Sequence, residues 1–297
     1  MKTIRTIAGL RTALAGARRN GRVIGLVPTM GTFHEGHLSL MRHARSRCDV
    51  VVVSLFVNPA QFNDPGDLAV YPRNEAEDAA RAAELGIDYL FAPGVEEVYP
   101  AGFATTVSVS GLTESLEGAE RGRGHFDGVT TVVTKLLNMV GPDTAYFGQK
   151  DAQQAAVIRR LVGDLNIPVE IEVCPTVRAE DGLALSSRNQ LLSAIERRQA
   201  TALHRALRGV RDAVHAGGRD PAVVTEPARR ELAQAGIEAE YLSVVSAQTL
   251  EPVERIDGDV LAVIAARVGA VRLIDNVPIS VAATEEPPSI EQITEAA

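Results

Sequence analysis

Short apolar runs alternate with amphipathic stretches through the first part of this chain. Residues 49–57 (DVVVVSLFV) are β-branched without polar alternation, the pattern of a strand buried on both faces, as in a parallel sheet. Apolar Val23, Ile24 and Leu26 lead into 27–38 (VPTMGTFHEGHL), which reads as a short strand, a turn with Pro28 and Gly31, and a helix start. Residues 37–47 then set Leu38, Met41 and Ala44 at helical spacing. Asn74 with Glu77 three residues on predicts a helix of capping-box type that stops at Gly86, and 87–92 (IDYLFA) returns as a strand. A polar-alternating strand is expected over 105–110 (TTVSVS), a helix over 130–140 ending at Gly141-Pro142, and a short strand over 144–148. A helix from Asp151 to about Asn166 carries Ile158, Leu161, Val162 and Leu165 on one face, before a strand over 169–174. This rhythm predicts an α/β fold built on a doubly wound parallel sheet.

Beyond Pro175 the pattern changes. A long Arg/Ala-rich helix is expected over 193–216, broken by Gly217-Gly218, then a second helix to Gly236 and β-rich stretches at 239–245, 260–266 and 271–273. The expected organisation is a first domain over 1–176, a smaller α+β domain over 177–283, and an acidic, Pro-containing tail over 284–297 without fixed structure.

Composition narrows the function. The chain has 297 residues, enough for two domains, with 45% hydrophobic and 23% charged residues, as in ordinary soluble globular proteins. Thirty Lys and Arg against 38 Asp and Glu leave a net charge of −8, which argues against a general nucleic-acid or membrane-surface binder, so any anion site is local. Cys48 and Cys174 form neither a CxxC nor a Cys/His ligand spacing. No apolar run approaches the ~18 residues of a membrane helix, and no signal-type apolar region follows the N-terminus. A cytoplasmic location is expected.

Four stretches carry chemistry. His34 and His37 of HEGH share one face if they lie in a first helical turn, where backbone N–H groups and the macrodipole favour anions. Zinc binding, catalysis and idle imidazoles are the three readings, and the spacing differs from the HExxH of metalloproteases, so phosphate-directed donors are favoured. Asn58 and Gln61 of NPAQF follow a buried strand, at the carboxyl end where open parallel sheets bind ligands; an Asn-Pro turn with a solvent-facing Gln is the rival. In FGQKD (147–151), Lys150 is a compact charge suited to polyphosphate, and Asp151 either bonds a ribose hydroxyl or caps the helix that carries Gln154. Ser186, Ser187 and Arg188 in DGLALSSRN sit where the two expected domains meet and could close over phosphates, or form an N-cap cluster. The loop 118–128, with Arg121, Arg123 and His125, reads as mobile or ligand-facing.

Taken together, PTMGxxHEGH, NPxQF, FGxKDxQQ, PTVR and DGLALSSRN, in this order, closely resemble the pantoate–β-alanine ligase family, the pantothenate synthetases of the nucleotidylyl-transferase superfamily. The resemblance implies a Rossmann-like first domain, a homodimer, and the substrates pantoate, β-alanine and ATP with Mg²⁺. The implied reaction has two steps: pantoate attacks the α-phosphorus of ATP to give pantoyl adenylate and pyrophosphate, then the β-alanine amine displaces AMP. Neither step needs a covalent enzyme intermediate, so positioning and charge stabilisation carry both.

Carried over by motif, Met30, Gly31, Thr32, Phe33, His34, Glu35, Gly36 and His37 would line the ATP site. His34, His37, Lys150 and Arg188 would meet phosphate charge, and His37 is usually described as a proton donor. Gly148, Gln149, Lys150 and Asp151 would hold the nucleotide, with Val177, Leu185, Ser186, Ser187 and Arg188 completing its pocket. Gln61 and Gln154 would clamp pantoate, supported by Asn58 and Tyr71, and no protein metal ligand is implied. The chain departs from the family pattern at Thr32-Phe33, Gln149, Ala152 and Leu185, and the second and third of these bear on the packing around Lys150. A nucleotidylyl transferase acting on another small acceptor is the competing reading, and a silent nucleotide-binding protein the third.

Overall fold

The computed structural model describes residues 1–63 and 65–281, so the tail over 284–297 lies outside the described residues. Among those described, two sheets form. The first contains β1 (Lys2–Ile4), β2 (Ile24–Thr29), β3 (Val50–Leu55), β4 (Tyr89–Phe91), β5 (Thr144–Gly148) and β6 (Glu170–Cys174), all parallel, in the order β1-β4-β3-β2-β5-β6. Val51, Val52 and Val53 are fully buried, as an unalternating apolar run requires of a strand covered on both faces. The second sheet is antiparallel, with β7 (Ala239–Ser246), β8 (Val260–Val268) and β9 (Val271–Ile279) in sequence order.

Helices cover both faces of the first sheet. Helix Glu35–Arg47 buries Met41 and Ala44 against one face, and helices Arg123–Val140 and Ala152–Asp164 pack on the other. Helices Thr201–His215 and Pro221–Gln234 pack on the second sheet in a core of their own. The two parts also share apolar surface, since Val245, Leu261 and Val263 belong to the same cluster as Phe147 and Val157.

Several elements differ from the sequence reading. Residues 105–110 form no strand: the Val107 N–H donates to Thr131 Oγ1 (2.9 Å) and Thr130 Oγ1 donates to the Val107 carbonyl (2.5 Å). Their alternation is real, with Val109 buried, yet two helix hydroxyls take the bonds a neighbouring strand would have made. The glycine-rich stretch 118–128 is helical rather than a loop, split between Glu117–Arg121 and the start of Arg123–Val140. Gly128 permits this, because a Cβ there would lie 2.3 Å from the Ala60 carbonyl oxygen. Leu165 falls past the end of its helix and is exposed. Asn74 makes no cap bond; its amide donates to Glu77 Oε2 (2.6 Å) instead.

The helix expected over 193–216 is divided into Ala194–Gln199, opened by a Ser193/Glu196 capping box, and Thr201–His215. Strand β9 runs on to Ile279, past the polar pair Asp275-Asn276 that hid it. Both are buried with their polar atoms paired: Arg178 forms a fork with Asp275 (2.6 and 2.9 Å), and Asn276 donates to carbonyls of the turn that follows β5.

Candidate active site

The sheet order runs down through β4, β3 and β2 and then turns upward to β5 and β6, which puts the topological switch point between β2 and β5. Three of the four motifs leave the carboxyl ends of adjacent strands there: residues 30–37 after β2, 58–61 after β3, and 149–154 after β5.

After β2 the chain turns through Gly31 (φ 90°) and Thr32 (φ 55°), the left-handed region a non-glycine residue occupies only under constraint. The constraint is Asp78, 2% exposed on helix Glu75–Glu84, whose two carboxylate oxygens each accept one backbone N–H, from Thr32 and Phe33, both at 2.7 Å. His34 then caps helix Glu35–Arg47: its Nδ1 accepts the Gly36 N–H (3.1 Å), while His37 Nδ1 accepts the N–H of His34 (3.4 Å). The rings lie 4.2 Å apart between centroids. Burial, with the charge of Lys150, lowers the pKa of His34; burial and the His34 and Lys150 charges bring His37 down to about 3, against a weaker upward pull from Asp151. Glu35 turns outward to pair with exposed Arg42.

After β3, the Asn58 side chain is buried with every donor and acceptor engaged. Its Oδ1 accepts from Tyr99 OH (2.8 Å) and the Ala60 N–H (3.2 Å); its Nδ2 donates to the Gly128 carbonyl (3.0 Å) and Gln61 Oε1 (3.1 Å). Gln61 is thus held by Asn58 through its oxygen, with its Nε2 3.0 Å from Met30 Sδ, and is not a loose surface amide. Tyr71, half-buried and edge-to-face with Phe62, has its hydroxyl pKa raised by burial, opposed by the charge of Arg188.

After β5, Lys150 is mostly shielded, with its ammonium 3.4 Å from Asp151 Oδ1. Asp151 occupies the N-cap position of helix Ala152–Asp164 but makes no side-chain cap bond there. Gln149 donates to Asn276 Oδ1 (2.9 Å), and Asn276 Nδ2 donates back to the Gln149 and Lys150 carbonyls (2.9 and 3.0 Å). The departure at Gln149 is therefore absorbed as a tie between β9 and the Lys150 loop. Gln154 lies half-buried in the first turn of helix Ala152–Asp164, whereas neighbouring Gln153 is buried and bonds the Glu117 N–H and the Leu112 and Ser115 carbonyls.

The fourth motif is brought to the same cleft. Ser186 caps a 3-10 turn over Ser187–Leu191, the Leu185 N–H donates to the Val177 carbonyl (3.0 Å), and Lys150, Ser186, Arg188, Asn189 and Arg272 line one cavity. Sequence reasoning missed Asp78, Tyr99 and the ion network Glu117–Arg272. Asp78 left a faint signal, an acid among the alanines of one helix; Glu117 and Arg272 lie 155 residues apart and left none.

A family model described as Pantoate-beta-alanine ligase matches residues 2–278. The chain belongs to that family. The ligase is 55% identical over 277 residues to "Pantothenate synthetase" of Cereibacter sphaeroides (strain ATCC 17029 / ATH 2.4.9), covering 93% of this chain and 99% of the relative. It is 55% identical over 282 residues to that of Moorella thermoacetica, covering 95% and 99%. Among solved structures, pantothenate synthetase from Thermus thermophilus superposes with a TM-score of 0.88 at 46% identity, covering 93% of this chain and 99% of that one. The pantoate-beta-alanine ligase from Francisella tularensis, complexed with beta-gamma ATP and beta-alanine, gives 0.77 at 35% identity, covering 93% and 97%. The resemblance drawn from the five motifs thus holds across nearly the whole ligase.

Proposed function

We propose that this ligase joins (R)-pantoate to β-alanine through a pantoyl adenylate, using ATP and releasing pyrophosphate and then AMP. The observation that supports the reading is that Lys150 and Arg188 line one cavity while the His34 and His37 rings, at the switch point, lie close enough to Lys150 to feel its charge, and Gln61 is oriented by Asn58 at the end of the adjacent strand. In the first step a pantoate oxygen bonds to the α-phosphorus while the bond to the β-phosphate oxygen breaks. His34, His37, Lys150 and Arg188 meet the charge that grows on the phosphates, and residues 30–37, 148–151, Val177 and 185–188 hold the nucleotide. Gln61 and Gln154 hold pantoate, with Asn58 and Tyr71 behind them.

Mg²⁺ fits this site as a phosphate-bound ion. Among the described residues no group of three His, Cys, Asp or Glu could hold a metal, whereas Mg²⁺ commonly takes one or two carboxylates plus substrate phosphates, and Asp151 stands beside Lys150. When bound it neutralises phosphate charge. Among the described residues no helix is long and apolar enough to cross a membrane; a cytoplasmic homodimer is the assembly and location we assign, which sedimentation and fractionation test.

The deciding experiment is exchange of labelled pyrophosphate into ATP, with and without pantoate, followed by AMP release on adding β-alanine. Exchange that requires pantoate is expected. Exchange without pantoate, or a stable nucleotidyl product that β-alanine does not consume, overturns the reading.

A further inference from the structure

The glycine-rich stretch 118–128 carries a histidine to which adenylation assigns no task. His125, half-buried in the first turn of helix Arg123–Val140, has its Nδ1 2.8 Å from the Gln61 carbonyl oxygen. A carbonyl only accepts, so Nδ1 carries the ring hydrogen and the neutral ring presents its lone pair at Nε2. Among the described residues that bond is the hydrogen bond the ring makes, and Nε2 has no partner. Gln61 therefore has three ties: Asn58 on its side-chain oxygen, Met30 against its Nε2, and the His125 ring on its backbone.

We propose that His125 is the general base of the second step, taking the proton that the β-alanine nitrogen sheds as it attacks the pantoyl carbonyl carbon. The inference rests on the functional reading above, which sets Gln61 against pantoate and so places the ring beside the bond that forms.

The step leaves one proton to place. With β-alanine attacking as its free amine, the bond from nitrogen to the carbonyl carbon forms, the bond from that carbon to the AMP phosphate oxygen breaks, and its electron pair leaves on AMP. The nitrogen then holds one hydrogen more than an amide does. A positioned lone pair accepts it at Nε2, and the imidazolium returns it to solvent before the next turnover.

The other titratable groups around the cleft are committed. Burial opposes the ionisation of Glu117, yet Arg272 and Arg121 bring it down to about 2, which makes it a poor base. Asp151 is paired with Lys150, and Asp78 accepts the Thr32 and Phe33 amides. Burial pushes the Tyr99 hydroxyl up to about 12, and that hydroxyl donates to Asn58; burial raises Tyr71 as well. His34 and His37 each engage Nδ1 in the cap of helix Glu35–Arg47.

The surroundings of His125 keep its lone pair free. Burial lowers its pKa from the ordinary imidazole value, against an upward pull from the Gln61 carbonyl. On helix Glu117–Arg121, Arg121 opposes an imidazolium and Glu117 favours it; Arg188, on the 3-10 turn Ser187–Leu191, opposes it. On its own helix, Asp127 accepts from Ser108 and lies 4.0 Å from Arg123. A ring that is neutral at pH 7 is the form a base requires.

The test separates the two half-reactions. Asparagine offers an amide donor near the position of Nδ1 but no lone-pair nitrogen at Nε2. His125→Asn is expected to slow AMP release on adding β-alanine ~10²-fold more than it slows pantoate-dependent pyrophosphate exchange. Equal loss in both assigns His125 to holding the Gln61 turn and overturns the proposal. Single-turnover AMP release, from ligase preloaded with pantoate and ATP, is then followed against pH. Protonation of the β-alanine amine slows native and variant alike. The native rate is expected to lose a further proton's dependence as pH falls below the ordinary imidazole range, where His125 becomes charged, and the variant to lack that limb; the same limb in both overturns the proposal. The native chain gives a readout that no variant's stability affects. In two-bond proton–nitrogen spectra of ¹⁵N-histidine-labelled ligase at pH 7.5, with the ring assigned by its contact to Phe126, an Nδ1–H tautomer with a bare Nε2 is expected. An Nε2–H tautomer or an imidazolium overturns it. Absence of pantoate-dependent exchange in the native ligase overturns the functional reading and this proposal together, whereas exchange with equal loss in the variant overturns this proposal alone.

Discussion

Asp78 shows how much one side chain can organise. It sits 2% exposed with a backbone N–H on each oxygen, and those two bonds hold Thr32 in a left-handed conformation just before the first histidine. Asp78→Asn keeps one acceptor and turns a donor toward the other amide. The expected loss is about 1–3 kcal/mol by urea denaturation, with a raised KM for ATP. An unchanged midpoint and KM would mean that the turn holds itself. Tyr99 is a second such position, because its hydroxyl fixes Asn58 and Asn58 fixes the Gln61 oxygen. Tyr99→Phe is expected to raise KM for pantoate several-fold while leaving ATP-only binding, read by titration calorimetry, unchanged. Equal loss of both would assign Tyr99 to the general fold.

At the scale of elements, the strands β2, β3 and β5 were legible because buried parallel strands write themselves as unbroken apolar runs, and their ends carry the motifs. The stretch 105–110 misled because alternation reports a half-buried extended segment and says nothing of what its backbone bonds to; here Thr130 and Thr131 supply the partners. The stretch 118–128 misled because glycine was read as a loop signal, whereas Gly128 serves close packing of helix Arg123–Val140 on the 3-10 turn Pro59–Gln61. A Cβ at Gly128 would run into the Ala60–Gln61 peptide, at 2.3 and 2.5 Å from the Ala60 carbonyl and 2.7 Å from the Gln61 nitrogen. Gly128→Ala is therefore expected to cost about 1–3 kcal/mol in denaturation and to displace Gln61, seen as weaker pantoate binding. A variant as stable as the native ligase would show that the turn can shift freely.

At the scale of the whole molecule, Glu117 joins the two parts. Its carboxylate accepts a fork from Arg272 (2.7 Å twice), a bond from Arg121 (3.1 Å) and the Tyr241 hydroxyl (2.9 Å). Burial alone would raise its pKa, but Arg272 and Arg121 outweigh burial and bring it down to about 2. A carboxylate depressed in the fold stabilises above its unfolded pKa and loses that contribution as pH falls through the folded value. Thermal unfolding is thus expected to hold steady above about pH 4.5 and to weaken from there toward pH 2, by about 3 kcal/mol from this group. Glu117→Gln should flatten that part of the profile; a profile unchanged in the variant would remove Glu117 as its source.

The sequence by itself determined the parallel sheet, the motifs at its strand ends and the family, because burial periodicity and chemistry-bearing residues are local in the chain. The tertiary structure alone decided that Asp78 holds the turn, that Tyr99 orients Asn58, that Gln149 ties the Lys150 loop to Asn276 and that Glu117 meets Arg272. Each of those pairs a group with a partner 41 to 155 residues away. Hydrogen-bond partners at that separation are chosen by packing and leave no period or spacing in the chain to read.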